Sequence, residues 1–166
     1  MKIPRLVYRR SSRKLTIELM PTTVESKTLF QVYNKNRRID DWKSIKDDLL
    51  RREGKKCWIC DRNDNLLHIQ EFWDFDDVKQ TMKLIEIHHV CDLCHKIKRT
   101  DFWFFTDYGK EQLKKLGYSY EDIIKHYCKV NKCKLKEFGK NWRNAIETWK
   151  TRNKQEWQQD YGEFIS

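Results

Sequence analysis

"HHVCDLCHKIKR", residues 88 to 99, sets three histidines, two cysteines and three basic residues in twelve positions. A second C-x-x-C, Cys57 and Cys60 in "CWIC", lies upstream across an insert of thirty residues. A C-x-x-C turn lets two thiolates face one tetrahedral ion, and two such turns complete a four-cysteine zinc site. A redox C-x-x-C needs one pair and leaves the second unexplained. Cys57, Cys60, Cys91 and Cys94 are therefore expected to hold a structural Zn2+. Lys55, Lys56 and Lys96 stand beside these pairs, where their charge offsets that of a tetrathiolate centre. Cys128 and Cys133 are left over and read as small buried apolar side chains.

The insert has room for two strands. "LLHIQEFW" and "MKLIEIHHV" both alternate, with "DFDD" and "KQT" between them, and "CHKIKRTDFWFF" begins a short helix. Upstream, "RLVYR", "KLTIEL" and "TLFQVY" within residues 1 to 33 read as strands, with a basic arm at Arg9, Arg10, Arg13 and Lys14. The spacing of Trp42, Ile45 and Leu49 predicts a helix over about 41–53, capped by Asp40 or Asp41 and closed by Gly54. Downstream, Ser119 and Asp122 form a capping-box pattern at the head of a helix. A longer helix is expected over about 135–158, with Phe138, Trp142, Ile146, Trp149 and Trp157 as its apolar stripe.

Hydrophobic residues make up 39% of the 166-residue chain and charged residues 36%, so burial rests on aromatic rings and a metal more than on aliphatic bulk. The net charge of +10 implies an anionic partner, most often nucleic acid. No stretch approaches the ~20 apolar residues of a membrane span. The N-terminal "MKIPRLVYRRSSRK" has no apolar signal-type run, which points to the cytoplasm, where cysteines stay reduced and serve metals.

"CWIC…LHIQEFWDFDD…IEIHHVCDLCHKIKR" resembles the zinc-containing branch of the HNH endonucleases, the ββα-metal or His-Me finger proteins. More narrowly, "QEFWDFDD" (70–77), "VCDLCH" (90–95), "DDWKSIK" (40–46) and the C-terminal "VNKCKLKEF…W…EWQQDYG" are similar to a group of small bacterial and phage HNH-like proteins. The resemblance covers about residues 28 to 164. It implies a nuclease in which one divalent ion, Mg2+ or Mn2+, steadies the scissile phosphate while a side chain draws a proton from water. His95 matches the family's final metal-binding histidine. Gln70 and Glu71 stand where the His pair, a metal ligand and a general base, belongs, and the family's middle Asn position falls near Glu86. These departures leave two readings open. In one, the site is rearranged, with Glu71 and His95 on the metal, His68 or His89 as base, and Asp76 and Asp77 reaching in from the loop. In the other, cleavage is lost and the fold survives as a zinc-braced nucleic-acid-binding module or a subunit of a larger phage or defence complex.

His68 on an alternating strand faces either solvent or the site, and His88 and His89 must point to opposite faces. His95, next to a zinc cysteine, has a second use as a donor to a metal-bound thiolate. Lys96, Lys98 and Arg99 after the knuckle, and Lys132 and Lys134 in the "VNKCK" turn, are expected at nucleic-acid phosphates, DNA before RNA. That turn reads as an αα-hairpin or as a helix-turn-helix. The expected architecture is α+β in one continuous domain: N-terminal strands and a lead-in helix (1–54), a four-cysteine zinc HNH-like ββα core (55–106) and a C-terminal helical hairpin (107–166).

Overall fold

The computed structural model describes residues 15–24 and 28–165. Along the chain run α1 (Leu29–Lys35), α2 (Ile39–Glu53), β1 (Leu67–Asp76), β2 (Thr81–Cys91), α3 (Asp92–Lys98), α4 (Thr100–Phe105), α5 (Asp107–Lys115), α6 (Tyr120–Asn131), α7 (Leu135–Arg152) and β3 (Gln158–Asp160). The sheet order is β1-β2-β3; β1 and β2 are antiparallel, and β3 pairs in parallel with β2. The protein is thus mixed α+β, with seven α-helices and a small three-stranded sheet among the described residues.

The hairpin register sets Leu67 opposite Cys91, Gln70 opposite His88 and Asp76 opposite Thr81. Phe72 pairs with Glu86 but Trp73 with Leu84, so Ile85 is an extra residue, and it faces solvent. Such a bulge re-aims the side chains on either side of it. Asp76 closes the turn by accepting from the amides of Val78 (3.0 Å) and Lys79 (2.9 Å).

The N-terminal region departs from the strand expectation. "RLVYR" and the basic arm lie outside the described residues. Residues 15–20 form no strand, because the backbone of Leu15 is paired by a side chain: its N–H donates to Asn131 Oδ1 (3.2 Å) and its carbonyl accepts from Asn131 Nδ2 (2.8 Å). "TLFQVY" is helical. Thr28 accepts from the Gln31 amide (3.2 Å) and Gln31 accepts in return from the Thr28 amide (2.8 Å), and this local capping box outweighs a weak β preference. Leu29 and Tyr33, one turn apart, are then buried together.

In α2, Ile45 and Leu49 are buried as their spacing predicts; the cap position is Arg38, and Asp40 and Asp41 occupy the first turn. Ser119 and Asp122 form the expected capping box. The last long helix stops at Arg152, so Trp157 lies beyond it, buried, with its indole N–H on the Arg152 carbonyl (2.9 Å).

The core has two parts that share the hairpin. One gathers Leu15, Trp58, Phe72, Val90, Ile97, Ile123, Tyr127 and Phe138 around the cysteine pairs. The other gathers Leu29, Tyr33, Ile45, Leu49, Trp73, Met82, Leu84 and Ile87 with the C-terminal Trp157 and Phe164. Each large apolar side chain contributes about 1.5–3 kcal/mol on burial. The chain end therefore packs against α1 and α2 rather than on a separate unit, and the Tyr33 hydroxyl donates to the Phe164 carbonyl.

Candidate metal centre and adjoining cleft

The two C-x-x-C turns meet at the junction of hairpin and helix. In the first, the Cys57 amide donates to the Arg62 carbonyl and the Asp61 amide to the Cys57 carbonyl, both at 2.9 Å. The Trp58 amide donates to the His89 carbonyl (2.8 Å), which pins the turn to β2. In the second, Cys91 ends β2 and caps α3, and Cys94 lies in the first turn of that helix.

The sulfurs of Cys57, Cys60, Cys91 and Cys94 all lie within 4.8 Å of one another, and Cys60 and Cys91 are 3.7 Å apart. A tetrahedral ion with metal–sulfur bonds of about 2.3 Å requires sulfur–sulfur edges of about 3.8 Å. The cluster can hold a metal ion. Crowding separates the thiol titrations: contact with Cys57 pulls Cys60 down and pushes Cys94 up. A bound cation would let all four sulfurs stand as thiolates, which their mutual crowding otherwise opposes. Cys128 and Cys133 stand apart, half-buried against the neighbouring core.

A cleft of about 370 Å³ runs along the free edge of β1, between α1 and α2 on one side and α3 on the other. Its walls include His68, Gln70, Glu71, His89, His95 and Arg99. His68, Gln70 and His95 come together. His95 Nδ1 lies 3.1 Å from Gln70 Oε1, and the His68 and His95 rings stack with centroids 4.5 Å apart. Gln70 Nε2 donates to the Glu71 carbonyl (2.9 Å), so Oε1 is an acceptor and His95 Nδ1 carries the proton. Burial drives the His95 pKa down to about 3. His95 is thus a neutral imidazole with a lone pair on Nε2.

His68 Nε2 lies 2.9 Å from Asp92 Oδ1, which also accepts from Lys96 Nζ at 2.5 Å. Burial raises the Asp92 pKa, but the bonds from His68 and Lys96 outweigh it and hold the carboxyl below the usual range. An ionised carboxylate only accepts, so His68 donates to Asp92 from Nε2, and Nδ1 is its other ring nitrogen. Sequence reasoning passed over Asp92, although its i,i+4 spacing to Lys96 was readable on a helix.

Glu71 is committed differently. Its Oε1 accepts from the Leu29 amide at 2.5 Å, at the head of α1, and burial raises its pKa. His89 is buried at the cleft wall; burial lowers its pKa, and its Nδ1 has no hydrogen-bond partner among the described residues. His88 lies in the core, its ring stacked 4.0 Å from Trp58 and its nitrogens on Glu53 (2.5 Å) and Glu86 (3.2 Å). Glu86, buried beside it, is therefore held inside by His88.

Three expected roles need correction. Asp76 stands at the far end of the hairpin, six residues from Gln70 and hence about 20 Å along an extended strand, too far to share an ion with His95. Lys96 and Lys98 are each 1% exposed and do not face solvent. Lys96 is paired with Asp92 and lies 4.4 Å from the Trp103 ring centroid; Lys98 is paired with Glu18 (3.0 Å) and donates to Thr16 Oγ1 (2.8 Å). A lysine nearly stripped of water needs such partners, and burial still lowers the Lys98 pKa. Arg99 lines the cleft, forked onto Asp101 at 3.2 Å, and Lys132 and Lys134 are exposed at the α6–α7 turn. Lys46 of α2, not singled out in the sequence, also lines the cleft.

Together these features define a mixed α+β protein with a four-cysteine centre able to hold a metal ion. No family model, curated protein or solved structure matches the chain. No helix among the described residues is long and apolar enough to cross a membrane.

Proposed function

We propose that the chain is a zinc-braced, HNH-like endonuclease that cuts DNA phosphodiesters at the cleft beside β1. The observation that carries this reading is the convergence of His68, Gln70 and His95 where an antiparallel hairpin runs directly into α3. Four thiolates in tetrahedral spacing suit Zn2+ in a closed, structural role. His95, neutral and with a free Nε2 lone pair, is the side chain fitted to hold Mg2+ or Mn2+. When bound, such an ion supplies charge stabilisation to the phosphate and the leaving oxygen. Asp92 orients His68 through its Nε2, so His68 is the side chain placed to act as the base that takes a proton from water. Stacked nearly parallel at 12°, the two rings do not point their lone pairs at one spot, which suits a division between ion holder and base. Arg99 and Lys46 at the cleft, with Lys132 and Lys134 outside it, meet phosphates.

The test is nicking of supercoiled plasmid with Mg2+ or Mn2+, comparing the natural protein with His95→Ala and His68→Ala at equal zinc content. Nicking that both variants lose supports the reading; nicking that both retain overturns it. A second reading, a nucleic-acid-binding module without cleavage, has its own support. Among the described residues, the four cysteines are the only group of three or more His, Cys, Asp or Glu placed to hold a metal. Salt-sensitive DNA binding with no nicking is its signature.

A further inference from the structure

His126 of α6 approaches the four-cysteine centre from outside both C-x-x-C turns. Its Nε2 lies 3.2 Å from Cys94 Sγ and 3.9 Å from Cys91 Sγ. We infer that His126 is a positioning residue of the metal centre, donating Nε2–H to the Cys94 thiolate and so tying α6 to the bound ion.

Geometry separates this role from that of a ligand. The four sulfurs already complete a tetrahedron, which leaves no fifth place on a closed zinc site. A nitrogen and a sulfur bound to one zinc ion stand about 3.5 Å apart, given bonds of about 2.0 and 2.3 Å. The observed 3.2 Å is shorter and suits an N–H···S bond. A metal-bound thiolate only accepts, so Nε2 must carry the proton.

The surroundings fit the same role. Ile123 and Tyr127, flanking His126 on α6, are buried in the core that holds Cys57, Cys91 and Cys94. A recess beside the centre is lined by Cys60, Arg62, His126 and Lys129 together with the carboxylate Asp61, and Cys60 is the one half-buried cysteine of the four. The imidazole donor and these two cations lie where the double negative charge of a zinc tetrathiolate needs compensation. Metal loading and docking of the α6–α7 hairpin are thereby linked. His95, for which donation to a thiolate was the alternative to a site role, is turned to Gln70.

The experiment is zinc affinity by chelator competition, with the Co2+-substituted absorption spectrum recorded in parallel. His126→Ala is compared with His126→Gln, whose amide also donates. Loss of a donor to a metal ligand lowers affinity about 10- to 100-fold. The expected result is that loss in His126→Ala, partial recovery in His126→Gln, and an all-sulfur Co2+ spectrum in every form. Unchanged affinity overturns the inference, and so does a Co2+ spectrum of the natural protein that shows a nitrogen ligand. Should both variants fail to fold, the imidazole nitrogen signals of the zinc-loaded natural protein decide: a protonated Nε2 supports the donor role, and an unprotonated Nε2 overturns it.

Discussion

The His68 and His95 rings stack 4.5 Å apart, and each donates one N–H to a partner that fixes its tautomer: Asp92 for His68, Gln70 for His95. Two imidazoles, each held by a partner, thus meet at one wall of the β1 cleft. Positioned proton transfer typically contributes about 10²–10⁴-fold to a rate. His68→Ala is expected to lower plasmid nicking by that amount, and Asp92→Asn to lower it less by leaving the ring misoriented. Initial rates at saturating Mg2+ and equal zinc content measure both.

Asp92 also anchors a buried cation. Removing its carboxylate strands Lys96, whose side chain is 1% exposed. Breaking one partner of such a pair costs about 3–5 kcal/mol. Asp92→Ala is expected to lose that much in urea denaturation, and the Asp92→Ala/Lys96→Met double variant to regain part of it. Equal stability of the single and double variants would show that the pair does not act as a unit.

Glu71 gives the fold a pH dependence of definite sign. Its folded pKa is raised by burial, so the folded state binds more protons than the unfolded chain through the intervening window. Its stabilising contribution is complete below the ordinary carboxyl pKa and fades as pH rises through the folded value. Glu71→Gln keeps an acceptor for the Leu29 amide and removes this slope. The stability of the natural protein minus that of the variant is therefore expected to fall with rising pH across that window, measured by denaturant titration at each pH.

Exposed and buried lysines should separate in a salt titration of DNA binding. Lys132→Ala and Lys134→Ala are each expected to reduce the slope of log affinity against log salt by about 1. Lys98→Met leaves the slope unchanged, because Lys98 is enclosed by Glu18 and Thr16. Equal effects of all three would place Lys98 at the interface.

Metal removal should loosen the whole junction, because the cysteines lie in the core with Trp58, Val90 and Ile97. A strong chelator is expected to lower the midpoint of thermal unfolding by about 10 °C or more, the shift that several kcal/mol produces in a chain of this length. Near-ultraviolet circular dichroism, which reports the packing of aromatic side chains, Trp58 among them, should weaken with it.

The local signals were legible where one residue's chemistry sufficed. Two C-x-x-C spacings placed the cysteine cluster, alternation placed β1 and β2, and Ser119 with Asp122 placed the head of α6. Alternation misled over 28–33, where a capping box spanning Thr28 to Gln31 decided for helix. The candidate site was half visible: the cysteines, His68, Gln70 and His95 stood out in the sequence, but the pairings of His68 with Asp92 and of His95 with Gln70 did not. Sequence by itself determined which groups can bind metal or carry charge, since that chemistry belongs to the side chain. Tertiary structure alone decided that Lys96 and Lys98 are interior ion pairs, that Glu71 caps α1 and that His126 reaches Cys94. Those pairings join residues 4 to 80 positions apart, and only the packing of α1, α3 and α6 around one hairpin removes enough water to make them count.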